Sequence, residues 1–258
     1  MKNIIHNLFF AGCILYIPAV AAALAGWKMA RNVFYLTAVT FVFLSAAARI
    51  YYNWPLMCLF QEPYLISLFI AVIAFCLCVR RNEKSAVAVG GIAVAVSIFT
   101  LLFPGDIYTS FVKTNSLFAY LFSLFSSFAR AAYLASAVLA ALFLAAGRFG
   151  VDRLNHENDD DLLIRNLIIA GFACQSAAMF CGGLWSYVGW GSPVPWESYL
   201  LPGMAGVWFY CSFYLHLHLA GGVSRRGILY AAALGGVLSF IFTFLPDTGT
   251  FNFRGIIR

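Results

Sequence analysis

The chain has 258 residues, 63% hydrophobic and only 10% charged, with a mean hydropathy of +0.87. A soluble domain averages about a quarter charged residues, so the composition excludes one and predicts a multi-pass membrane protein with the lipid bilayer as its surroundings; the plasma (inner) membrane is its expected location. The formal net charge of +6 comes from basic residues scattered through short loops, which excludes a nucleic-acid partner.

In chain order, Met1-Lys2-Asn3 ahead of an apolar run has the outline of a signal peptide. The run to Trp27 is long enough to span, however, and shows no convincing small-residue cleavage site, so it reads as the first helix. A spanning helix needs about 20 predominantly apolar residues. Eight runs are read as spans: residues 8–27, 33–51, 64–79, 86–103, 117–147, 162–185, 199–219 and 227–245. The expected fold is all-α, a polytopic membrane helical bundle of about eight helices forming one domain over residues 1–258. No charged, Cys/His-patterned or Gly/Ser-rich block marks a separate soluble domain.

Charge orients the bundle. The connections after the first, third, fifth and seventh helices carry Lys28 and Arg31; Arg80, Arg81 and Lys84; Arg148 and Arg153; and Arg225 and Arg226. The other connections and the termini hold Lys2, Arg49, Lys113, Arg254 and Arg258. Lys and Arg concentrate in cytoplasmic loops, so both termini are expected outside. The acidic stretch from Asp152 to Asp161 is expected to be a solvated cytoplasmic connection.

Seven cysteines, including Cys13, Cys58, Cys76 and Cys181, lie mostly inside apolar runs without a Cys-x-x-Cys spacing. They signal neither a redox pair nor a zinc site, and a Cys58–Cys181 disulfide has no support in the pattern. Histidine is scarce. His156 falls in the acidic connection and His6 at a helix boundary. His216 and His218 sit in Tyr214-Leu215-His216-Leu217-His218 at the inner half of the seventh helix, where a polar group is a functional candidate by default. Residues two apart point to nearly opposite sides of a helix, so one imidazole faces the bundle and the other the headgroups. A neutral imidazole serves as an axial haem ligand or as a packing hydrogen bond. Arg130, inside the fifth helix, needs a carboxylate, a propionate or water.

The densest feature is the outer stretch Gly183-Leu184-Trp185-Ser186-Tyr187-Val188-Gly189-Trp190-Gly191-Ser192-Pro193-Val194-Pro195-Trp196-Glu197-Ser198, which has no Lys or Arg. Interfacial anchoring is the ordinary role of such indoles. Three of them spaced by Gly and Pro can also form a flat aromatic shelf for a large planar ligand.

Trp185, Trp190, Gly191 and Trp196, preceded by Gly182 or Gly183, resemble the tryptophan-rich loop of the haem-handling cytochrome c assembly family, the CcsA and CcmC type, and in particular its eight-helix CcsA branch. Glu197 stands where that family has Asp. Tyr214-Leu215-His216, followed by Leu219, Gly222, Arg225 and Gly227, resembles the family's helix after the loop. Arg49-Ile50-Tyr51-Tyr52-Asn53-Trp54-Pro55-Leu56 with Glu62 resembles the segment leading into its third helix. The resemblance implies cytochrome c biogenesis. Haem would be the cofactor, a CcsB-like membrane protein the partner, and apocytochrome c the acceptor, whose Cys-x-x-Cys-His thiols add to the haem vinyl groups. It further implies that Trp185, Trp190, Trp196 and Glu197 line haem, that Gly189 and Gly191 let it approach, and that His216 ligates its iron. Arg130 or Arg49 would neutralise a propionate. The chain departs from the family pattern at Val194, in Glu197-Ser198-Tyr199-Leu200-Leu201, and in lacking His both at residues 115–120 and at 250–255. Tyr120 is the alternative iron ligand on the outer side, since tyrosinate can ligate haem. The departures carry two expectations: the chain alone is a poor synthase, and its alternative role is a degenerate paralogue serving as a membrane scaffold or subunit of a redox complex. A transporter with a midplane site would show an internal repeat, and none is visible.

Overall fold

The computed structural model describes residues 2–53, 61–80, 82–101, 116–148, 157–194 and 200–244. These residues form eight helices and no strand: α1 (Lys2–Leu24), α2 (Lys28–Asn53), α3 (Gln61–Val79), α4 (Glu83–Leu101), α5 (Leu117–Arg148), α6 (Glu157–Trp190), α7 (Leu200–Ala220) and α8 (Arg225–Phe244). Six are long and apolar enough to cross a membrane, all except α3 and α7. The apolar described part of α3 is the shorter stretch Tyr64–Val79. α7 spans 21 residues. The protein is a helical bundle of membrane type.

Helix ends follow local chemistry. Gly26, Gly191 and Gly221 adopt φ of 73°, 75° and 66° just after α1, α6 and α7, the left-handed turn that glycine enters without a Cβ penalty. Asn82 caps α4, its Oδ1 accepting from the Ser85 N–H at 3.4 Å. Ser116 Oγ accepts from the Phe118 N–H at 3.2 Å at the start of α5, and Ser224 Oγ from the Gly227 N–H at 3.3 Å at the start of α8.

Two four-helix groups make the bundle. In the first, α1 and α3 each pack against α2 and α4; in the second, α5 and α7 each pack against α6 and α8. α5 also lies on α3 and α4, so it joins the groups. Small residues permit the approach, as bilayer packing requires. Ala129, Ala131, Ala132, Ala135 and Ala140 are buried along α5. A side chain at Gly236 would collide with Ala137 and stand 2.9 Å from the Tyr133 carbonyl oxygen, while Gly171 accommodates the Tyr133 ring.

Ring pairs set the levels. Phe69 of α3 meets Phe128 of α5 at 5.5 Å, and Phe99 of α4 meets Phe240 of α8 at 5.7 Å. Each pair lies at similar distances from its helix starts, so the starts of α2, α4, α6 and α8 gather at one end. That arginine end is tied by ion pairs: Arg31 and Lys28 to Glu83 at 3.4 and 3.8 Å, and Arg225 to Asp161 through two hydrogen bonds at 2.7 and 3.0 Å. The opposite end carries Trp185 and Trp190, the start of α1 and the close of α8.

α6 departs from the sequence expectation at both ends. Residues 157–161 belong to its first turns, where acidic groups near a helix N-terminus oppose the positive end of the macrodipole. At the other end the helix continues past the glycines to Trp190. Gly182 leaves the slot into which the Phe122 ring packs, where a Cβ would stand 3.0 Å from it, and that packing outweighs the low helix propensity of Gly182, Gly183 and Gly189.

Candidate functional site

The tryptophan end is built on the last two turns of α6. Trp185 is half-buried, its ring centroid 6.1 Å from Phe122 and 5.6 Å from Trp190. The indoles of Trp185 and Trp190 meet at 68°, edge to face, so they form two walls of a corner instead of one flat shelf. Trp190 is 56% exposed and leaves the corner open. The chain then doubles back on itself. The Gly191 N–H donates to the Tyr187 carbonyl at 2.8 Å, Ser186 Oγ donates to the Ser192 carbonyl at 2.6 Å, and Ser192 Oγ donates to the Val194 carbonyl at 3.0 Å. Gly183 lets the Pro193 carbonyl pass, with a Cβ there at 3.4 Å. Trp185 Nε1 is buried and has no acceptor. Tyr120, half-buried on the first turn of α5, lies at this same end. Gly189 is helical, and Trp196 and Glu197 lie outside the described residues, as do Trp54 and His156. The helices reach Arg49 and Glu62, whose side chains are not described. Cys181 is a buried free thiol and Cys58 lies outside the described residues.

His216 and His218 sit at the arginine end. The His218 ring stacks on Tyr214 with centroids 6.4 Å apart and planes at 15°. Arg165 Nη1 lies 3.3 Å from His218 Nε2. Arginine has no acceptor, so it donates, and the His218 proton then sits on Nδ1, which is buried without a partner. His216 points outward instead. Its Nδ1–H donates to the Ser212 carbonyl at 2.8 Å, which leaves Nε2 with a lone pair directed away from the helix. Arg165 and Trp185 are 20 residues apart on one helix, about 30 Å at 1.5 Å per residue. The structure therefore groups Trp185, Trp190, Gly191 and Tyr120 and places His216 across the bundle from them. Arg165 and the Tyr214 stack were missed in the sequence. Their signal was a basic residue one helical turn after Asp161 within an apolar run.

Haem, the group the resemblance implies, fits these residues in part. A metal-ligating imidazole commonly donates its other ring N–H to a carbonyl, which is the posture of His216 on Ser212. The orphaned Trp185 N–H and the indole corner suit an aromatic guest carrying an acceptor. Among the described residues no three His, Cys, Asp or Glu converge on one metal position. A haem iron asks for one or two axial ligands and not a cluster. The small enclosed space beside Tyr133, between Cys211 and Gly236, has about 10 Å³ and is too small for a macrocycle. No family model matches the chain, and neither a curated protein nor a solved structure matches it.

Proposed function

We propose that this chain is a haem-handling subunit of a cytochrome c assembly system in the plasma membrane, working with a CcsB-like partner and an apocytochrome c. The observation that carries the reading is His216, whose Nδ1 is held by the Ser212 carbonyl while its Nε2 faces outward. In this reading the arginine end is cytoplasmic, in keeping with the clustering of Lys and Arg there. His216 takes one axial position, and a partner helix laid against the outer face of α7 offers the other. The Trp185–Trp190 corner walls the ligand on the outer side, the side that also carries Tyr120. Arg130 balances carboxylate charge within the bundle. When bound, haem supplies the vinyl groups to which the apocytochrome thiols add; the chain supplies binding and orientation.

A second reading is favoured by the same outward face. α7 packs only on α6 and α8 among its stronger contacts, and it leaves Phe209 67% and Phe213 58% exposed in line with His216. A scaffold subunit of a redox complex would use that strip to bind another membrane helix without attaching haem.

Comparing His216→Ala with His218→Ala separates these readings. Haem per folded protein, measured as pyridine haemochrome, should fall at least about tenfold in His216→Ala and change little in His218→Ala. Equal haem content in the two variants removes the assignment, and a wild type without haem moves the reading to the scaffold.

A further inference from the structure

The turn from α1 to α2 is fixed by backbone hydrogen bonds on both sides. The Gly26 N–H donates to the Ala23 carbonyl at 3.3 Å and the Trp27 N–H to the Ala22 carbonyl at 2.9 Å, the paired bonds of a Schellman motif around the left-handed Gly26. The Trp27 carbonyl then accepts the Arg31 N–H at 2.9 Å, which opens α2. Trp27 is therefore held by two helices at once. Its side chain is nevertheless 68% exposed, and Met29 beside it is 83% exposed. With Lys28, Ala30, Val33 and Phe34 they line an open groove of about 580 Å³. Ligand sites occupy about 300–1,000 Å³, so this groove has room for a guest.

Depth and charge select that guest. The lining runs from Trp27 to Phe34, about 10 Å along a helix at 1.5 Å per residue. The headgroup layer on each side of a bilayer is about 5–7 Å deep, and an exposed indole marks its level. The groove therefore begins among headgroups and ends in hydrocarbon beside Val33 and Phe34, which suits an amphiphile and not a water-soluble ligand. Its upper end is positive. Arg31 Nη1 hydrogen-bonds Glu83 Oε1 at 3.4 Å. Lys28 Nζ stands 3.8 Å from the same oxygen, beyond hydrogen-bond reach, and its side chain is 69% exposed. One carboxylate thus faces two cations, and the Lys28 N–H donors are not taken up by it. Lys28 also opens α2, where the macrodipole adds to the positive potential.

We propose that the groove at the α1–α2 turn binds one anionic phospholipid, whose phosphate meets Lys28 and whose acyl chain lies along Trp27, Val33 and Phe34. The site belongs to the arginine end, across the bundle from the Trp185–Trp190 corner, and does not depend on haem.

Fluorescence quenching of the full chain tests this in phosphatidylcholine bilayers that carry rising fractions of dibrominated phosphatidylglycerol or dibrominated phosphatidylcholine. Brominated acyl chains quench an indole they touch, and subtracting the signal of Trp27→Phe removes the other five of the six Trp. Half-quenching of Trp27 should come at an about fivefold lower fraction of the brominated phosphatidylglycerol, the preference that one interfacial cation confers. Lys28→Gln should bring the two lipids together, and Lys28→Arg should keep them apart. Arg226→Gln removes an exposed cation at the same end on the second four-helix group and should leave the preference whole. Equal quenching by both lipids in the wild type, a preference that survives Lys28→Gln, or one that Arg226→Gln abolishes overturns the proposal.

Discussion

The two ends of the α6–α7 pair are held by different forces. At the tryptophan end, order comes from ring packing and from a chain that folds back through Ser186, Gly191 and Ser192, with no ion pair among the described residues there. At the arginine end, Arg225 grips Asp161 with two hydrogen bonds, and Arg165 fixes the tautomer of His218. Ring contacts survive changes of salt and leave an open apolar corner. Ion pairs restrict geometry tightly but answer to ionic strength. Under the proposed function, the open corner would receive the aromatic ligand and the ion-paired end would hold the imidazole.

The comparison breaks first if the ends do not lie on opposite sides of a membrane. Reporter fusions at Gly191 and at Gly227 should report opposite compartments, with Gly227 cytoplasmic, because Lys and Arg gather at that end. Both reporters on one side would discard the bundle's assignment as a set of full spans.

How far the sequence could foresee this differs by element. Eight apolar runs announced eight helices, since a bilayer demands length and apolarity that few soluble segments possess. The extent of α6 was hidden. Gly182, Gly183 and Gly189 advertise a loop, and only the Phe122 ring lying on Gly182 shows why the helix continues. Trp185 and Trp190 do not lie flat together, because helical spacing turns them edge to face. Which of His216 and His218 faces inward was equally hidden. Both lie on a helix that is apolar nearly all round, and the choice depends on Arg165, which is 53 residues away from His218 in sequence.

The next largest effect belongs to the indole corner. Trp185→Ala removes contacts with both Phe122 and Trp190 and should destabilise the fold by about 2–3 kcal/mol. That lies below the range for a fully buried tryptophan, because this ring is only half-buried. Trp190→Ala loses one edge-on ring pair at an exposed position and should cost under about 1 kcal/mol. Reversible unfolding in mixed detergent measures both. If the two variants are equally destabilised, Trp185 is not the inner wall of the corner.

The smallest effect is the most specific to the arginine end. The side chains of Arg225 and Asp161 are 40% and 31% exposed, so solvent screens much of their attraction, and a double-mutant cycle with Arg225→Ala and Asp161→Asn should give a coupling of only about 0.5–1 kcal/mol. Its size matters less than its salt dependence. At 1 M salt the screening length falls to about 3 Å, comparable to the pair's own separation, and most of the coupling should disappear. The coupling between Trp185 and Trp190 involves no net charge and should hold over the same range. Should the Arg225–Asp161 term persist at high salt while the indole term fades, the division of labour between the two ends is wrong, and packing around the start of α8 is what ties it to α6.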